Sequence, residues 1–200
     1  MNYFWRVAIK RIIFLLACSV SFAYGATLGT AAYAAESEVK QGFNIISANT
    51  KLVNQVYQLS ADIEFKFSDE VLSAIQNGVP ITIVIDVEIY RHRSYVWDKL
   101  FADLKQRFAL QYHALSEQYI VKNLNSGAQD TYPTLHSALY NLRELRALPV
   151  IDKNLLVKDE QYTGRARVRI ELETLPVPLR LNAYITRSWW LGSAWYKWDL

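Results

Sequence analysis

The stretch NGVPITIVIDVEIY, residues 77–90, predicts the central strand of an antiparallel sheet. Its odd positions from Ile81 to Ile89 are five β-branched aliphatic residues, and its even positions are more polar. Because successive side chains of a strand point to opposite faces, this alternation places all five aliphatic side chains on one face. Such a face has to be buried, so we expect the rest of the chain to supply neighbouring strands and covering helices.

Alternating patterns on both sides of this stretch predict further strands. The segment 57–67 alternates most clearly, and we expect it to pair with 81–90 directly or through one neighbour. Residues 95–104 are ambiguous between an extended edge and a helical turn. The remaining predicted strands are Phe43–Ala48 with a turn at 49–51, Gln106–His113, Gln118–Leu124 before a turn at 125–127, Tyr162–Glu173, and Leu179–Ile185.

Helical patterns occur in two places. Ser68 is a predicted cap for a short helix that buries Val71, Leu72 and Ile75 and ends at Gly78. A second helix is predicted over Leu135–Ala147, with Thr134 as its cap and Pro149 as its stop. About seven strands and two helices predict an α+β protein, mainly β, with an antiparallel sheet or β-sandwich in one domain over 43–200.

The N-terminus has the three parts of a secretory signal peptide. A basic start with Arg6, Lys10 and Arg11 precedes an apolar run from Ile12, and small residues lead to Ala34 and Ala35. We expect 1–34 to be a signal peptide, 35–42 a flexible tether, and the protein to be periplasmic. The alternatives are an anchor in the inner membrane through 12–35, which is long enough to span a bilayer, and a lipoprotein box ending at Cys18.

The charge and cysteine content narrow the function classes. The formal charge of the 200-residue chain is +3, and it falls to zero without the three cations of the leader. We therefore expect no nucleic-acid partner, since phosphate binding needs a strong basic excess. Cys18 is the one cysteine of the sequence, so 43–200 has no disulfide, no thiolate metal ligand and no thiol nucleophile.

Two carboxylates of the central stretch are the candidates for hydrolytic chemistry. Asp86 and Glu88 share a face, and with Asp62 and Glu64 on an expected neighbouring strand they could form a cluster suited to acid/base chemistry or to a cation. The simpler interpretation is a solvated sheet face, where the carboxylates pair with arginines at 165, 167 and 169 on another strand. A hydrolase would need a cleft and one carboxylate with a raised pKa.

Other catalytic and ligand motifs are not indicated. His92, His113 and His136 are far apart and have no metal-ligand spacing. The seven glycines form no phosphate-binding run, and no nucleophile elbow surrounds any serine. We expect no catalytic residue, no metal and no cofactor, so an enzyme is the minority hypothesis.

The C-terminal stretch SWWLGSAWYKWDL, residues 188–200, is the candidate binding surface. Large aromatic rings could stack on sugars, anchor a protein partner or lie at a membrane interface. The alternative, which the sequence favours, is a terminal segment folded back over the end of the sheet, because large aromatics more often fill cores. The candidate residues are Trp189, Trp190, Trp195, Tyr196 and Trp198.

Several stretches resemble one family in order and spacing. They are residues 76–81 (QNGVPI), 110–116 (LQYHALS) through Tyr119, 175–178 (LPVP) before Asn182-Ala183, and the Trp-rich ending. Together they resemble the uncharacterised proteobacterial exported proteins grouped as domain of unknown function family 4390, over about residues 43–198. The resemblance implies no catalytic residue. It does imply an envelope partner, since genes of this family often neighbour a membrane sensor kinase.

These observations support three expectations of function. The first is a non-enzymatic accessory or binding module that contacts an envelope protein, with a sensor kinase as one candidate. The second is a β-sandwich that binds a small molecule, a glycan or a lipid. The third is a hydrolase that uses Asp86 and Glu88.

Overall fold

A computed structural model describes residues 41–93 and 95–200. The expected signal peptide, the lipoprotein box and almost all of the tether lie outside the described residues. Within them the fold is α+β and mainly β, with nine strands, three α-helices and two antiparallel sheets. The strands are β1 Gly42–Val53, β2 Val56–Lys66, β3 Ile81–Arg91, β4 Lys99–His113, β5 Gln118–Asn123, β6 Gln129–Tyr132, β7 Glu144–Asp152, β8 Tyr162–Ile170 and β9 Tyr196–Asp199.

The larger sheet has six strands in the order β6-β5-β4-β3-β8-β9. The predicted central strand is confirmed, because β3 lies between β4 and β8 and pairs with both. Its aliphatic face is at most 2% exposed. The opposite face is also largely covered, since Val84 is fully buried and Asp86 is 2% exposed. The expected solvation of this face is therefore wrong at Asp86, whereas the expected pairing of Asp86 with arginines is present.

The smaller sheet has three strands in the order β1-β2-β7. Strand β2 was expected to pair with β3 or with a strand next to it, and this was wrong. Its alternating pattern fixes which face is buried but not which sheet it joins, and helix α1 (Asp69–Gln76) carries the chain from β2 into the other sheet. Leu59 and Ile63 of β2 share one hydrophobic core with Ile83 and Ile85 of β3.

Helix α1 forms as predicted. The side chain of Ser68 accepts a hydrogen bond from the backbone N–H of Val71, and Val71, Ala74 and Ile75 are buried. Gly78 follows with a φ of +78°, a conformation that glycine adopts without steric cost. Strand β1, by contrast, is longer than predicted: it runs past 49–51, and the turn lies at Asn54 and Gln55, both with positive φ.

Helix α2, Leu135–Arg143, begins as predicted but ends earlier. Thr134 caps it through the N–H of Ser137, and the chain then enters strand β7 instead of continuing to Ala147. Pro149 does not stop a helix. It lies within β7, which is an edge strand of the small sheet, where a missing N–H costs no ladder bond on the open side.

The last predicted strand, Leu179–Ile185, is a helix. Helix α3 spans Val177–Ile185, and Pro178 lies in its first turn, where the missing N–H needs no partner. Strand β8 is also shorter than predicted: it ends at Ile170, and Leu172–Thr174 is a 3₁₀ turn. The ambiguous stretch 95–104 contains the start of β4, which begins at Lys99.

Candidate functional site

Asp86 lies in an ion-pair cluster on the outer face of the large sheet. Its register places it opposite Arg167 of β8. The Nε atoms of Arg167 and Arg169 donate to Asp86 Oδ2 over 2.9 and 3.0 Å. Strand alternation puts every second residue of β8 on this face, which is why a run of alternating arginines meets the carboxylates of β3. We call Arg165, Arg167 and Arg169, with Asp86 and Glu88, the arginine ladder.

Glu88 makes the second set of contacts in the arginine ladder. Its Oε2 accepts hydrogen bonds from Arg165 Nε at 2.7 Å and from the Tyr90 hydroxyl at 2.8 Å. Arg165 also donates to the oxygen of that hydroxyl over 2.7 Å. Both carboxylates of the sequence-predicted pair are thus already bound by arginines.

The ring of Trp195 covers this ladder. The guanidinium carbons of Arg165 and Arg167 lie 4.3 and 4.5 Å from its centroid, which is within the range of cation–π attraction. Trp195 is half-buried, and its ring packs on two arginines of the sheet and helps to shield the ion pairs beneath it.

The pKa of Asp86 speaks against a catalytic acid at this position. Burial raises the pKa, but the hydrogen bonds and positive charges of Arg169 and Arg167 outweigh burial and leave it below its ordinary value. A hydrolase was expected to show one carboxylate with a raised pKa. The arginine ladder has the chemistry of a structural ion-pair network.

The predicted four-carboxylate cluster does not form. Asp62 belongs to the small sheet, where Ser47 and Arg146 bind its two oxygens at 2.9 and 3.0 Å. These contacts lower its pKa. Glu64 pairs with Lys66. Among residues 41–93 and 95–200, no group of His, Cys, Asp and Glu side chains could hold a metal ion.

The C-terminal aromatic residues fall into two environments. Trp189 is 2% exposed in the core, whereas Trp190 is 65% exposed. Tyr196 and Trp198 are half-buried, because β9 pairs with β8 and forms an edge of the large sheet. The structure therefore does not gather the five aromatic residues into one surface.

Helix α3 supplies the apolar surface that the sequence did not predict. It is apolar on two sides. Ala183 is fully buried and Leu179 packs against the core, while the opposite side faces outward. We define the α3 surface as this outward side together with Trp190; its members are Val177 (64% exposed), Leu181 (67%), Tyr184 (43%), Ile185 (84%) and Trp190 (65%).

The sequence contained a signal for this surface. Val177, Leu181 and Tyr184 follow the i, i+4, i+7 spacing of one helical face, and Pro178 suits a first turn. Charge is scarce here: Arg180 is the one charged residue of α3, and its guanidinium donates to the Leu175 carbonyl at 2.8 and 3.0 Å.

A cleft of about 290 Å³ lies between the arginine ladder and the α3 surface. Arg167 and Arg169 form one side, and Tyr184, Trp189 and Trp190 form the other. Its volume is near the lower limit for small-molecule sites. It brings aromatic rings and the guanidinium groups of the ladder together at one concave site.

These features define a class, namely a mainly β protein of two antiparallel sheets whose most distinctive surface is an uncovered apolar helix face. The chain belongs to the family described as domain of unknown function (DUF4390), whose model matches residues 40–199. This match confirms the resemblance. No curated protein and no solved structure matches the chain. Among the helices in the described part of the chain, none has the length and apolar character needed to cross a bilayer.

Proposed function

We propose that the protein is an exported, non-enzymatic binding module of the cell envelope, and that the α3 surface contacts its protein partner. One observation carries this proposal: α3 is apolar on two sides, yet within residues 41–93 and 95–200 only the side with Ala183 and Leu179 is covered. An apolar stripe of a helix is normally packed against the rest of the protein. Exposed apolar patches of this kind often mark interaction sites.

The composition of the α3 surface favours a protein over a lipid bilayer. Helices that lie on membranes carry Lys and Arg along their polar face. The single Arg180 of α3 instead donates to the Leu175 carbonyl. The cores of protein interfaces are depleted in charge and enriched in aromatic residues, as here at Tyr184 and Trp190.

Export is the second part of this proposal, and it is supported by the basic, apolar and small-residue parts of 1–34. An envelope protein is then the accessible partner, and the extracytoplasmic part of a membrane sensor kinase is the first candidate. Mass spectrometry of the N-terminus tests this part. We expect a mature end at Ala35 or Glu36, whereas an intact Met1 would mean a membrane-anchored protein.

Mild cross-linking in intact cells tests the α3 surface. We compare the tagged protein with the variants Leu181→Asp and Ile185→Asp, and use Leu115→Asp as the matched control. Leu115 is 95% exposed in the turn between β4 and β5. We expect both α3 variants to remain folded, as judged by circular dichroism, and to lose one recurrent envelope partner that the control retains. An unchanged partner profile would refute the role of α3.

A second candidate function is supported by the cleft beside Trp190. A small ligand such as a glycan could stack on Tyr184 and Trp190 and hydrogen-bond with Arg167 and Arg169. Tryptophan fluorescence and melting temperature, measured across envelope glycans and lipids, test this candidate. A saturable shift that Trp190→Ala abolishes would support it, and a flat response would rule it out.

A further inference from the structure

Three loops at one end of the protein carry a second exposed apolar surface. The β1–β2 turn presents Leu52 and Val53, each 41% exposed. The β3–β4 loop presents Tyr95 and Trp97, which are 98% and 95% exposed. The β7–β8 loop presents Leu155 and Val157, at 65% and 50%. We call these six side chains the tip surface.

The backbone holds the three loops together. The N–H of Lys153 donates to the Gln55 carbonyl over 2.7 Å and joins the β7–β8 loop to the β1–β2 turn. The N–H of His92 donates to the Gln161 carbonyl over 2.9 Å and joins the same loop to the β3–β4 loop. The tip surface is therefore one end of the fold and not three unrelated loops.

The tip surface lies at the opposite end of the large sheet from α3. Strand β8 leaves the tip at Tyr162 and reaches the other end at Ile170, and α3 follows there. Strand β4 runs from the tip at Lys99 to the β4–β5 turn, so Leu115 is also at the far end. A ligand of the tip surface is consequently distinct from a partner at α3.

Basic residues accompany the apolar residues in each loop. Lys51 precedes Leu52, Arg93 and Lys99 flank the aromatic pair, and Lys153 and Lys158 flank Leu155 and Val157. The one acid between Arg91 and Lys99, Asp98, pairs with His92 over 3.0 Å. The β7–β8 loop also carries Asp152, Asp159 and Glu160, and Glu160 lines a cleft with His92 and Asp199, so the excess of cations lies in the other two loops.

We propose that the tip surface docks onto a bilayer surface rich in anionic phospholipid. Trp and Tyr are the residues that favour the headgroup region, where the ring is half in hydrocarbon and its polar edge stays hydrated. Lys and Arg beside them attract anionic headgroups. The α3 surface has fewer such cations, since Arg180 donates to the Leu175 carbonyl and Arg187 alone follows Ile185.

A position-specific fluorescence measurement tests the proposal on the protein as cells export it. Cys18→Ser removes the one native cysteine, and an environment-sensitive dye is attached at Val96→Cys or, as the control, at Leu115→Cys. Vesicles of phosphatidylcholine are compared with vesicles that also contain phosphatidylglycerol. A leader retained on the protein affects both labelled variants equally, so the two dye positions report which end meets the lipid.

We expect a blue shift, and quenching by nitroxide-labelled lipid, for the dye at 96 on phosphatidylglycerol vesicles only. The dye at 115 should remain unquenched. Trp97→Ser should weaken binding about tenfold, since one large side chain leaves the bilayer. Lys99→Glu should weaken it in a salt-dependent way. Equal responses at 96 and 115, no response at 96, or binding indifferent to Trp97→Ser would overturn the proposal.

Discussion

The indole N–H of Trp190 donates a hydrogen bond to the carbonyl oxygen of Ala183 over 3.1 Å. Ala183 lies on the buried side of α3, so this bond attaches an exposed tryptophan to a helix that is itself fixed to the core. The ring of Trp190 is thereby held in place before any partner arrives. Pre-ordered aromatic side chains lower the entropic cost of binding.

Adjacent tryptophans should respond differently to truncation. Trp189→Ala leaves a cavity in the core and should lower the free energy of unfolding by about 3–5 kcal/mol. Trp190→Ala removes an exposed ring and one hydrogen bond, so its cost should be about 1 kcal/mol. Chemical denaturation of both variants measures the difference. Equal losses would show that Trp190 is also part of the core.

Removing the carboxylate of Asp86 should destabilise the fold. Asp86→Asn leaves Arg167 and Arg169 without their counter-charge, and breaking a buried pair costs about 3–5 kcal/mol. Because the side chain of Arg167 is 40% exposed, we expect the lower end, about 3 kcal/mol. The control is Asp103→Asn, an exposed carboxylate on the neighbouring strand β4. A loss no larger than that of the control would contradict the ion-pair assignment.

The free energy of unfolding should fall in acid, because Asp86 becomes protonated and loses its ion pairs. The pKa of Asp86 is lower in the folded protein than its ordinary value of about 3.9. Its contribution is therefore present above that value and is lost as the pH falls through the folded pKa. The difference in unfolding free energy between wild type and Asp86→Asn should be largest at neutral pH and should become smaller in strong acid. A gap independent of pH would be inconsistent with this mechanism.

Gly164 and Trp198 should be energetically coupled. They face each other across β8 and β9, and a Cβ added to Gly164 would overlap the Trp198 ring. Gly164→Ala should therefore cost about 1–3 kcal/mol through overpacking. The cost should shrink when Trp198→Ala is present, which a double-mutant cycle measures. Additive losses would mean that the two residues do not compete for the same space.

The sequence predicted the elements whose patterns have a single interpretation. The aliphatic alternation from Ile81 to Ile89 has no helical alternative, and β3 is the central strand. Ser68 before Asp69 and Glu70 is a helix start that needs no tertiary contact, and α1 begins there. The aliphatic pattern could not show, however, that Asp86 on the other face is buried, because this depends on Arg167 and Arg169 of a distant strand.

The errors in the fold have tertiary causes. The strand 57–67 was identified correctly, but its partners β1 and β7 are set by contacts far along the chain. Leu145 fits a helical stripe with Leu142, yet it lies in β7 beside Ala61 of β2. Pairing with an existing sheet overrides a weak local preference for helix.

The candidate site was only partly accessible from the sequence. The crowding of aromatic residues at 189–198 was visible in the sequence. Their different environments, with Trp189 in the core, Trp195 over the arginine ladder and Trp190 exposed, depend on the path of the chain between α3 and β9. The odd positions of 177–185 are apolar and its even positions include Arg180 and Asn182, so the alternation favoured a strand, although Val177, Leu181 and Tyr184 also fit one helical face. Choosing the strand concealed the α3 surface, whose exposed stripe appears only at helical spacing.

Position-resolved photo-cross-linking in intact cells tests the central claim most directly. A photoreactive amino acid is placed at Leu181, at Ile185 or, as the control, at Leu115, and each adduct is identified by mass spectrometry. The proposed function predicts the same envelope protein at 181 and 185 and its absence at 115. No adduct at 181 and 185, or the same adducts at all three positions, would contradict the assignment of α3 as the binding surface.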